Sequence, residues 1–457
     1  MADAGVMPDV AGFRALHYDP TRVDLAKVVA PPYDVYDEAE RARLAGRDVH
    51  NFVHLDRPVS AGPTASADGA APAPDPYARA AAQLEAWLAA GVLVRDGGRA
   101  LYRVHQVFAS SEAGRTITRR GFVAGVRLSP LGGDGLVRAH EQTQAAAKED
   151  RRRLLSATAT HTSQIMAGYS DVAGEVERLF RRTEVGPPML EVTTDDGTLH
   201  RVWRCGDAEL IGAVRHYMMP RKLYILDGHH RYETALAVQA AMAAEAPLST
   251  YASANYVSML LVGLDDPGLV ARPTHRVLHG LPALDRARVL AEARAYFRVD
   301  RLAGAARDPA RVAAALAAVG GHAPAVALVF AGDPDAHLLE LDPACDPHAA
   351  GVTAHRKLAR LDAIIVHQLL LPRLFGQDAA AQERADHLRY VQGADAALAE
   401  LEGGRAQLTL LMRPLALDQL KLAADLGAVL PAKTTYFAPK IASGLLLQRI
   451  DRDEDLV

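Results

Sequence analysis

The chain has 457 residues, and its 51 Lys and Arg against 55 Asp and Glu give a formal net charge of −4, so the chain as a whole would not attract nucleic acid or an anionic membrane. With 49% hydrophobic and 23% charged residues, its composition is that of an ordinary globular protein of two or three domains. Its two cysteines, Cys205 and Cys345, form no CxxC pair, so neither a zinc site nor a disulfide framework is indicated.

Targeting and membrane-spanning patterns are missing from the sequence. The first residues lack a basic segment followed by an apolar one, and no run of roughly 18 apolar residues occurs. We therefore expect a cytoplasmic protein with neither a nucleic-acid nor a membrane partner, and a homodimer is compatible with the sequence.

The first region, residues 1–105, is predicted to mix strands and helices around one rigid loop. Strands are expected near residues 11–16 and 51–55, and the loop between them contains two prolines, which hold the backbone extended. That loop presents Tyr33 and Asp34, which become candidates for substrate contacts, with Asp34 able to hold an ammonium group. A Pro-rich turn without a ligand is the alternative.

A composition shift marks the next segment. Residues 58–76 are rich in Ala, Pro, Gly and Ser and poor in apolar bulk, which is typical of a flexible surface insertion. An amphipathic helix is predicted over 77–90 because its apolar residues recur on one side. Alternating apolar residues over 101–108 and 116–128 then predict the two strands of a hairpin.

A polar loop leading into a helix follows the hairpin. His140, Glu141 and Thr143 place a carboxylate and two other hydrogen-bonding groups ahead of this helix, and a carboxylate so placed is a candidate general base. On the helix itself, Lys148, Arg151 and Arg152 lie at a spacing of three or four positions and can share one face. A solvated charged face explains the same residues without any ligand.

The most informative run begins where an apolar strand, residues 223–226, meets a helix at Asp227 and Gly228. A helix N-terminus carries free backbone N–H groups and the positive end of the helix dipole, so it attracts anions. The sequence places three further donors in this turn: His229, His230 and Arg231. Alternatively, Asp227 is only an N-cap and the histidines are solvated.

The chain changes character from about residue 280. An apolar strand over 255–264 is followed by His275, which could close a site or merely cap a strand. Ala- and Leu-rich helices then alternate with strands such as 325–330, and a further helix is expected over 358–371. We predict a separate C-terminal α+β domain over 281–457.

A second polar cluster lies near the end of this domain. Lys433, Thr434 and Lys440 suit a clamp for phosphate or carboxylate, although an ordinary basic surface loop would have the same residues. Most basic residues of this chain are arginine, so a lysine is unusual here and indicates a specific role. The compact lysine ammonium acts as a mobile point charge on phosphate.

Familiar nucleotide and hydrolase motifs are missing: the sequence has no P-loop, no G-x-G-x-x-G after a strand, no H-E-x-x-H and no G-x-S-x-G. Instead, the run Asp227-Gly-His-His-Arg-Tyr-Glu233 resembles the signature turn of the ParB/sulfiredoxin-like superfamily. Together with further segments in the same order, it is similar to the bacterial family called domain of unknown function 1015. Those segments are 30–35, 51–55, 140–141, 148–151 and 433–440.

This resemblance implies an α+β (mixed α/β) fold. A ParB/sulfiredoxin-like nucleotide-binding core would occupy residues 106–280, with N-terminal and C-terminal α+β additions on either side. Within the superfamily, sulfiredoxins carry a catalytic cysteine where this chain has His229, which argues against sulfinic-acid reduction. The free-serine kinases have a His-Glu loop and an Asp-Gly-His-His-Arg turn in the order found here, although the two motifs lie farther apart in this sequence.

The resemblance to these kinases implies a phosphotransferase that moves phosphate from ATP or ADP, with Mg²⁺, to the hydroxyl of a small metabolite such as free L-serine. Asp227 would bind Mg²⁺, and Glu141 would act as general base beside His140. Nucleotide phosphates would be bound by Gly228, His229, His230, Arg231, Lys148, Arg151, Lys433, Thr434 and Lys440. Substrate would be bound by Tyr33, Asp34, Thr143 and His275.

Two other classes of function stay open. One is a metal-dependent hydrolase with four ligands, Asp227, His229, His230 and His275. The other is a non-catalytic nucleotide-binding switch of the ParB type, which would bind nucleotide tightly without turnover and signal to a protein partner.

Overall fold

A computed structural model describes residues 9–59, 75–110, 114–132, 135–141, 145–282, 284–321 and 323–457. Thr143 and most of the expected insertion lie outside these described residues. The fold is mixed α/β, as predicted. By their internal contacts, the residues form two units, one made of Met1–Ala139, Thr143–Val270 and Pro439–Val457, the other of His140–Gln142 and Ala271–Ala438. The division into three domains remains a prediction.

The strands follow one another along the chain in short and long segments. They are β1 (Val10–Ala11), β2 (Ala15–Tyr18), β3 (Leu93–Arg95), β4 (Leu101–Ser110), β5 (Arg115–Arg127), β6 (Val137–Arg138), β7 (Thr160–His161), β8 (Ile165–Tyr169), β9 (Leu190–Thr193), β10 (Leu199–Cys205), β11 (Leu223–Asp227), β12 (Tyr256–Gly263), β13 (Val270–Ala271), β14 (Thr274–Leu278), β15 (Phe297–Leu302), β16 (Ala325–Phe330), β17 (Ala336–Leu341), β18 (Leu388–Gln392), β19 (Leu408–Leu411), β20 (Phe437–Ala438) and β21 (Leu447–Arg449).

The helices alternate with these strands. They are α1 (Leu25–Val28), α2 (Glu38–Ala45), α3 (Val53–Asp56), α4 (Pro76–Ala89), α5 (Ala145–Thr158), α6 (Glu175–Phe180), α7 (Ala208–Met218), α8 (His229–Glu245), α9 (Arg286–Ala293), α10 (Pro309–Ala318), α11 (Asp362–Ile365), α12 (Leu371–Phe375), α13 (Ala379–Arg384), α14 (Ala394–Glu402) and α15 (Leu417–Asp425). A π-helical segment, Val366–Leu370, joins α11 to α12. Among the described residues, no helix has both the length and the apolar character that crossing a bilayer requires.

The first unit is built on a mixed sheet of nine strands in the order β6-β11-β8-β12-β5-β4-β10-β9, with β1 beside β5. The expected hairpin is confirmed as β4 and β5, which pair from Tyr102 with Val123 to Ser110 with Arg115. Helices α7 and α8 bury apolar residues such as Val214 and Tyr232 against β5, β8, β11 and β12. This packing fixes β11 and α8, the two elements that meet at Asp227.

A smaller sheet of the first unit has the order β3-β2-β21-β7. Strand β21 pairs with β2 on one side and with β7 on the other. The segment after Pro439 therefore completes a unit that is otherwise formed by residues before 271.

The second unit contains an antiparallel sheet in the order β15-β17-β16-β19-β14-β18. Neighbouring strand residues point to opposite faces, so Leu278 joins one apolar cluster and Val277 joins another. The first cluster includes residues of α11 and α12, and the second includes residues of α10 and α14. Helices therefore cover both faces of this sheet.

The structure corrects three sequence-based boundaries. Residues 51–55, expected as a strand, lead into the one-turn helix α3, because the Asn51 side chain accepts the backbone N–H of Val53. Pro76, the last residue of the expected insertion, instead begins α4, since Asp75 caps this helix and Pro suits its first position. The helix expected over 358–371 begins at Asp362 and continues to Phe375, past Pro372.

Candidate functional site

The turn between β11 and α8 has the predicted strand–turn–helix form. β11 ends at Asp227, Gly228 adopts φ 95° and ψ 30°, and α8 begins at His229. Glycine takes this left-handed conformation without the steric cost that a side chain would add. A single residue therefore separates the end of β11 from the start of α8, which places the N-terminus of α8 beside Asp227.

Two cations bind the Asp227 carboxylate. Arg231 donates from Nη2 to Oδ2 of Asp227 at 2.7 Å, and the Lys440 ammonium pairs with Oδ1. Arg231 also donates from Nη1 to Ser163 Oγ at 3.0 Å and to the Gln164 carbonyl. The side chains of Arg231 and Lys440 are only 11% and 12% exposed. Three of the predicted residues, Asp227, Arg231 and Lys440, thus converge although Lys440 is distant in sequence.

The two histidines of the turn differ in burial. His229 is buried, and this burial lowers its pKa to about 4, with the opposing charge of Asp227 raising it only in part. His229 is therefore neutral at pH 7 and adds no positive charge to the turn. His230 is half-buried. Arg231 and Lys440 each bring a positive charge to this turn.

A second charged cluster of the first unit surrounds Arg151. This buried arginine donates from Nη1 to Asp56 Oδ1 at 3.2 Å and from Nη2 to Asp150 Oδ2 at 2.6 Å. Its guanidinium lies over the Tyr33 ring, 4.0 Å from the centroid. Asp56 is fully buried and also accepts a hydrogen bond from Thr162 Oγ1 at 2.8 Å. The simple solvated face that was the alternative for Arg151 does not describe this buried side chain.

Tyr33 lies within the fields of both arginines. Burial and, to a lesser extent, the charge of Asp34 raise the pKa of Tyr33 to about 12, although Arg231 and Arg151 act to lower it. Asp34 itself is exposed. Arg151 and Arg231 also line one cavity of about 30 Å³. The predicted phosphate ligands Arg151 and Arg231 therefore face the same small space, with Tyr33 nearby.

Lys148 takes a different position from Arg151. Its ammonium pairs with Glu233 Oε2 at 2.9 Å, and both side chains are about one-third exposed, 38% and 31%. This pair links α5 to α8 and, being exposed, contributes little to stability. A phosphate-binding role for Lys148 remains a prediction.

The backbone beside Lys440 is held by two residues that the sequence analysis did not identify. Gln106 on β4 lies opposite Arg119 on β5, and Arg119 donates from Nε to Gln106 Oε1 at 3.0 Å. Arg119 also donates to the Pro439 carbonyl, and Gln106 Nε2 donates to the Lys440 carbonyl at 3.2 Å. Both side chains are buried, so this pair fixes the backbone that carries the Lys440 ammonium.

In the second unit, His140 and Glu141 contact the start of the predicted 433–440 segment. Lys433 has a left-handed backbone, φ 55°, and its N–H donates to Glu141 Oε1 at 3.2 Å. His140 is buried and its Nε2 lies 3.1 Å from Thr435 Oγ1. Thr434 is buried too, and its hydroxyl donates to the Pro431 carbonyl. A left-handed lysine is uncommon and such strain concentrates at functional positions.

His275 is held within β14. Its Nδ1 accepts the backbone N–H of Met412 at 3.0 Å, so the proton of the neutral ring is on Nε2. Burial and, to a lesser extent, the charge of Arg276 lower the pKa of His275 to about 4. Contact of His275 with substrate remains a prediction.

Metal ligands can be assessed over the part of the chain that the structure describes. It contains no group of three or more His, Cys, Asp or Glu side chains placed to hold a metal ion. Asp227 offers a single carboxylate, which already binds Arg231 and Lys440. A carboxylate oxygen is a suitable ligand for Mg²⁺, which usually keeps most of its waters and bridges to phosphate oxygens.

Comparisons with known proteins give one family and several distant structures. The family model "Protein of unknown function (DUF1015)" matches residues 10–364, and no curated protein matches. A conserved hypothetical protein from Pyrococcus furiosus is 13% identical, covering 68% of this chain and 92% of its own, with a TM-score of 0.33. A free serine kinase in complex with AMP is 13% identical, covering 68% and 88%, with a TM-score of 0.33. Truncated SbnI from Staphylococcus aureus is 10% identical, covering 70% and 87%, with a TM-score of 0.34.

Proposed function

This chain belongs to the DUF1015 family, and we propose that it transfers the terminal phosphoryl group of a nucleotide to a hydroxyl group of a small metabolite. The convergence of Arg231 and Lys440 on Asp227 at the N-terminus of α8 carries this proposal. Two largely buried cations beside a helix N-terminus form an anion-binding position. A polyphosphate could bind both cations and the N-terminal N–H groups of the helix.

The proposed reaction needs little covalent participation of the protein, which mainly positions the reactants and neutralises charge. The substrate hydroxyl oxygen forms a bond to the terminal phosphorus while the bond from that phosphorus to the bridging oxygen of the nucleotide breaks. Glu141 accepts the hydroxyl proton and returns it to water. Arg231 and Lys440 neutralise the charge that spreads over the phosphoryl oxygens.

Glu141 is assigned as the base because its carboxylate is fixed by the Lys433 N–H and is half-buried. Asp227 would hold Mg²⁺ through a carboxylate oxygen, and the ion would reduce the charge of the phosphates it accompanies. In this proposal the Asp227 turn belongs to a ParB/sulfiredoxin-like core, ATP or ADP is the donor, and free L-serine is the first substrate to test. Tyr33 and Asp34 are proposed to contact that substrate.

The test is phosphorus NMR of the full chain with Mg²⁺, ATP or ADP, and a pool of small hydroxy metabolites that includes L-serine. We expect a new phosphomonoester signal with the wild-type chain and at least a roughly 100-fold slower rate with Glu141→Gln. Glu149→Gln is the matched control, because Glu149 is 54% exposed and pairs only with Arg152 among the described residues. An unchanged rate for Glu141→Gln would remove this residue from its role.

Nucleotide binding is tested separately. Arg231→Ala should weaken ATP or ADP binding about tenfold or more, because a largely buried charge-assisted contact is lost, while Arg152→Ala on the exposed face of α5 should not. Nucleotide binding without any phosphomonoester would favour the switch. Zinc retained after dialysis without nucleotide binding would favour the hydrolase.

A further inference from the structure

Strand β14 carries buried polar groups that have no partner. Thr274 and Arg276 are each 2% exposed. Among the described residues, neither Thr274 Oγ1 nor Arg276 Nη2 has a hydrogen-bond partner. Residues two apart on a strand face the same side, so this hydroxyl and this guanidinium belong to one face of the sheet. Buried polar groups are normally paired, and two orphaned groups together indicate a missing ligand.

The Arg276 guanidinium is fixed in orientation by its other atoms. Nε donates to His367 Nε2 at 3.0 Å, Nη1 donates to the Thr274 carbonyl, and the Tyr390 ring centroid lies 5.4 Å from the guanidinium carbon. His367 donates in turn from Nδ1 to Gln382 Oε1 at 2.7 Å. His367 lies in the π-helical segment, a type of irregularity that often occurs at functional sites. The Nη2 group of Arg276 is therefore fixed in position, where it can donate to a further hydrogen-bond acceptor.

Charge makes that partner an anion. Burial lowers the pKa of Arg276 to about 10, and the charges of Tyr390 and Glu141 raise it only in part, so Arg276 is a cation at neutral pH. A buried cation is costly unless an anion with hydrogen-bonding oxygens accompanies it. Glu141 belongs to the same unit and acts on Arg276 at a distance.

The available space limits what can reach Arg276. A cavity of about 20 Å³ is lined by Arg276, Thr434, Asp362 and Arg413, among others. This volume accepts one water-sized group, such as one oxygen of a carboxylate or phosphate. Asp362 would not repel such an oxygen strongly, because Arg413 binds it with two hydrogen bonds of 2.8 and 2.7 Å.

We propose that Arg276 and Thr274 bind an oxyanion of the substrate, so that the metabolite is a hydroxy acid or a phosphorylated alcohol and not a neutral alcohol. The inference rests on the proposed phosphotransfer in one respect only, because it takes the ligand of Arg276 and Thr274 to be the substrate of that reaction. Binding of the acid to Arg276 is a property of the second unit and can be measured without any transfer.

The experiment compares three probes that share one carbon skeleton: glycerol, glycerate and glycerol phosphate. Their binding to the full chain is measured by calorimetry. We expect at least one of the two anions to bind tenfold or more tightly than glycerol, and Arg276→Met to remove this preference. Arg384→Met is the control, since Arg384 is 61% exposed in the same unit. Whichever anion binds identifies the oxyanion as carboxylate or phosphate.

Thr274→Val separates ligand binding from folding. Valine has the shape of threonine but lacks the orphaned hydroxyl, so the thermal midpoint should stay unchanged or rise while anion affinity falls severalfold. Equal binding of glycerol and both anions, or wild-type anion affinity in Arg276→Met, would overturn the inference even if phosphotransfer is observed. Arg276-dependent anion binding without any transfer would instead overturn the proposed phosphotransfer alone.

Discussion

Gly228 sets the geometry of the Asp227 turn through both its backbone and its lack of a side chain. At φ 95°, alanine would cost about 1–2 kcal/mol, and its Cβ would lie 3.0 Å from Nε and Nη2 of Arg231. We expect Gly228→Ala to lower the free energy of unfolding by that amount. It should also weaken nucleotide binding about tenfold, because Arg231 must move away from Asp227. Urea denaturation and calorimetry measure the two effects.

Gly304→Ala is the matched control for this prediction. Gly304 also has a positive φ, 70°, but a Cβ there would have no neighbour within 4 Å. It should therefore lose a similar amount of stability with nucleotide affinity unchanged. If Gly228→Ala binds nucleotide as tightly as Gly304→Ala does, the position of Arg231 does not depend on the glycine.

Site residues that lie in one contiguous motif could be identified from the sequence, whereas isolated site residues could not. Asp227, Gly228 and Arg231 could be selected because a strand, a turn and a helix follow one another there. Asp56 and Gln106 stand alone in their segments, and only the tertiary fold brings them to Arg151 and Lys440. The burial of His229 was equally hidden, since periodicity does not reveal how deeply a helix N-terminus packs.

The hairpin of β4 and β5 holds the C-terminal segment at Lys440. Gln106→Leu would remove one acceptor of the buried Arg119, which keeps the Pro439 carbonyl, and would remove the Gln106 amide that donates to the Lys440 carbonyl. We expect a loss of about 2–3 kcal/mol in unfolding free energy and weaker nucleotide binding. Urea denaturation and calorimetry check both effects.

A double variant distinguishes positioning from simple destabilisation. In Gln106→Leu with Arg119→Leu the buried charge is removed together with its side-chain acceptor, so stability should recover in part relative to Gln106→Leu alone. Nucleotide binding should stay weak, because neither side chain now holds Pro439 and Lys440. Recovery of affinity together with stability would show that the hairpin does not position Lys440.

Local patterns predicted elements well where apolar spacing was regular. The β4–β5 hairpin, α4, α8 and β16 follow their alternation or helical spacing closely. The failure at 51–55 came from a side chain, since Asn51 starts a turn that apolar content alone does not show. Past Pro372, the helix continues after a π-helical segment, a form that spacing rules do not anticipate.

Acid should destabilise the protein through five of its buried histidines. Burial lowers the pKa of four of them to about 4 and that of the fifth to about 3; they are His161, His200, His229, His275 and, lowest, His367. In the unfolded chain each has a pKa of about 6.5, so between these values the unfolded state binds more protons. Stability should therefore be constant above about pH 7 and fall as the pH decreases toward 4.

Thermal midpoints measured from pH 7.5 to 5 check this dependence, and we expect a decrease of several degrees. His161→Gln should make the dependence shallower, because one buried neutral histidine is removed. His216→Gln should leave it unchanged, since His216 is exposed. A midpoint that is constant down to pH 5 would contradict the prediction.

The chain-wide arrangement could not be read from the sequence. Sheet order is decided by pairings between distant strands, such as β21 with β2 and β7, and no local pattern encodes them. The same long-range pairing explains why residues 433–438 and Lys440 belong to different units despite their adjacency. Fold class and the main motifs were predictable, and the grouping of those motifs was not.

The late return of the chain to the first unit has a consequence for synthesis on the ribosome. Residues 271–438 are translated before Lys440 and β21. Strands β2 and β7, between which β21 pairs, are translated much earlier. Domains tend to fold as they emerge, so the first unit would spend this interval with an open sheet edge, and its Asp227 would pair with Arg231 but not yet with Lys440. A nascent chain that ends before Pro439 would therefore expose an unpaired strand edge and lack the Lys440 ammonium. We expect chaperones to bind such a chain before it can bind a nucleotide.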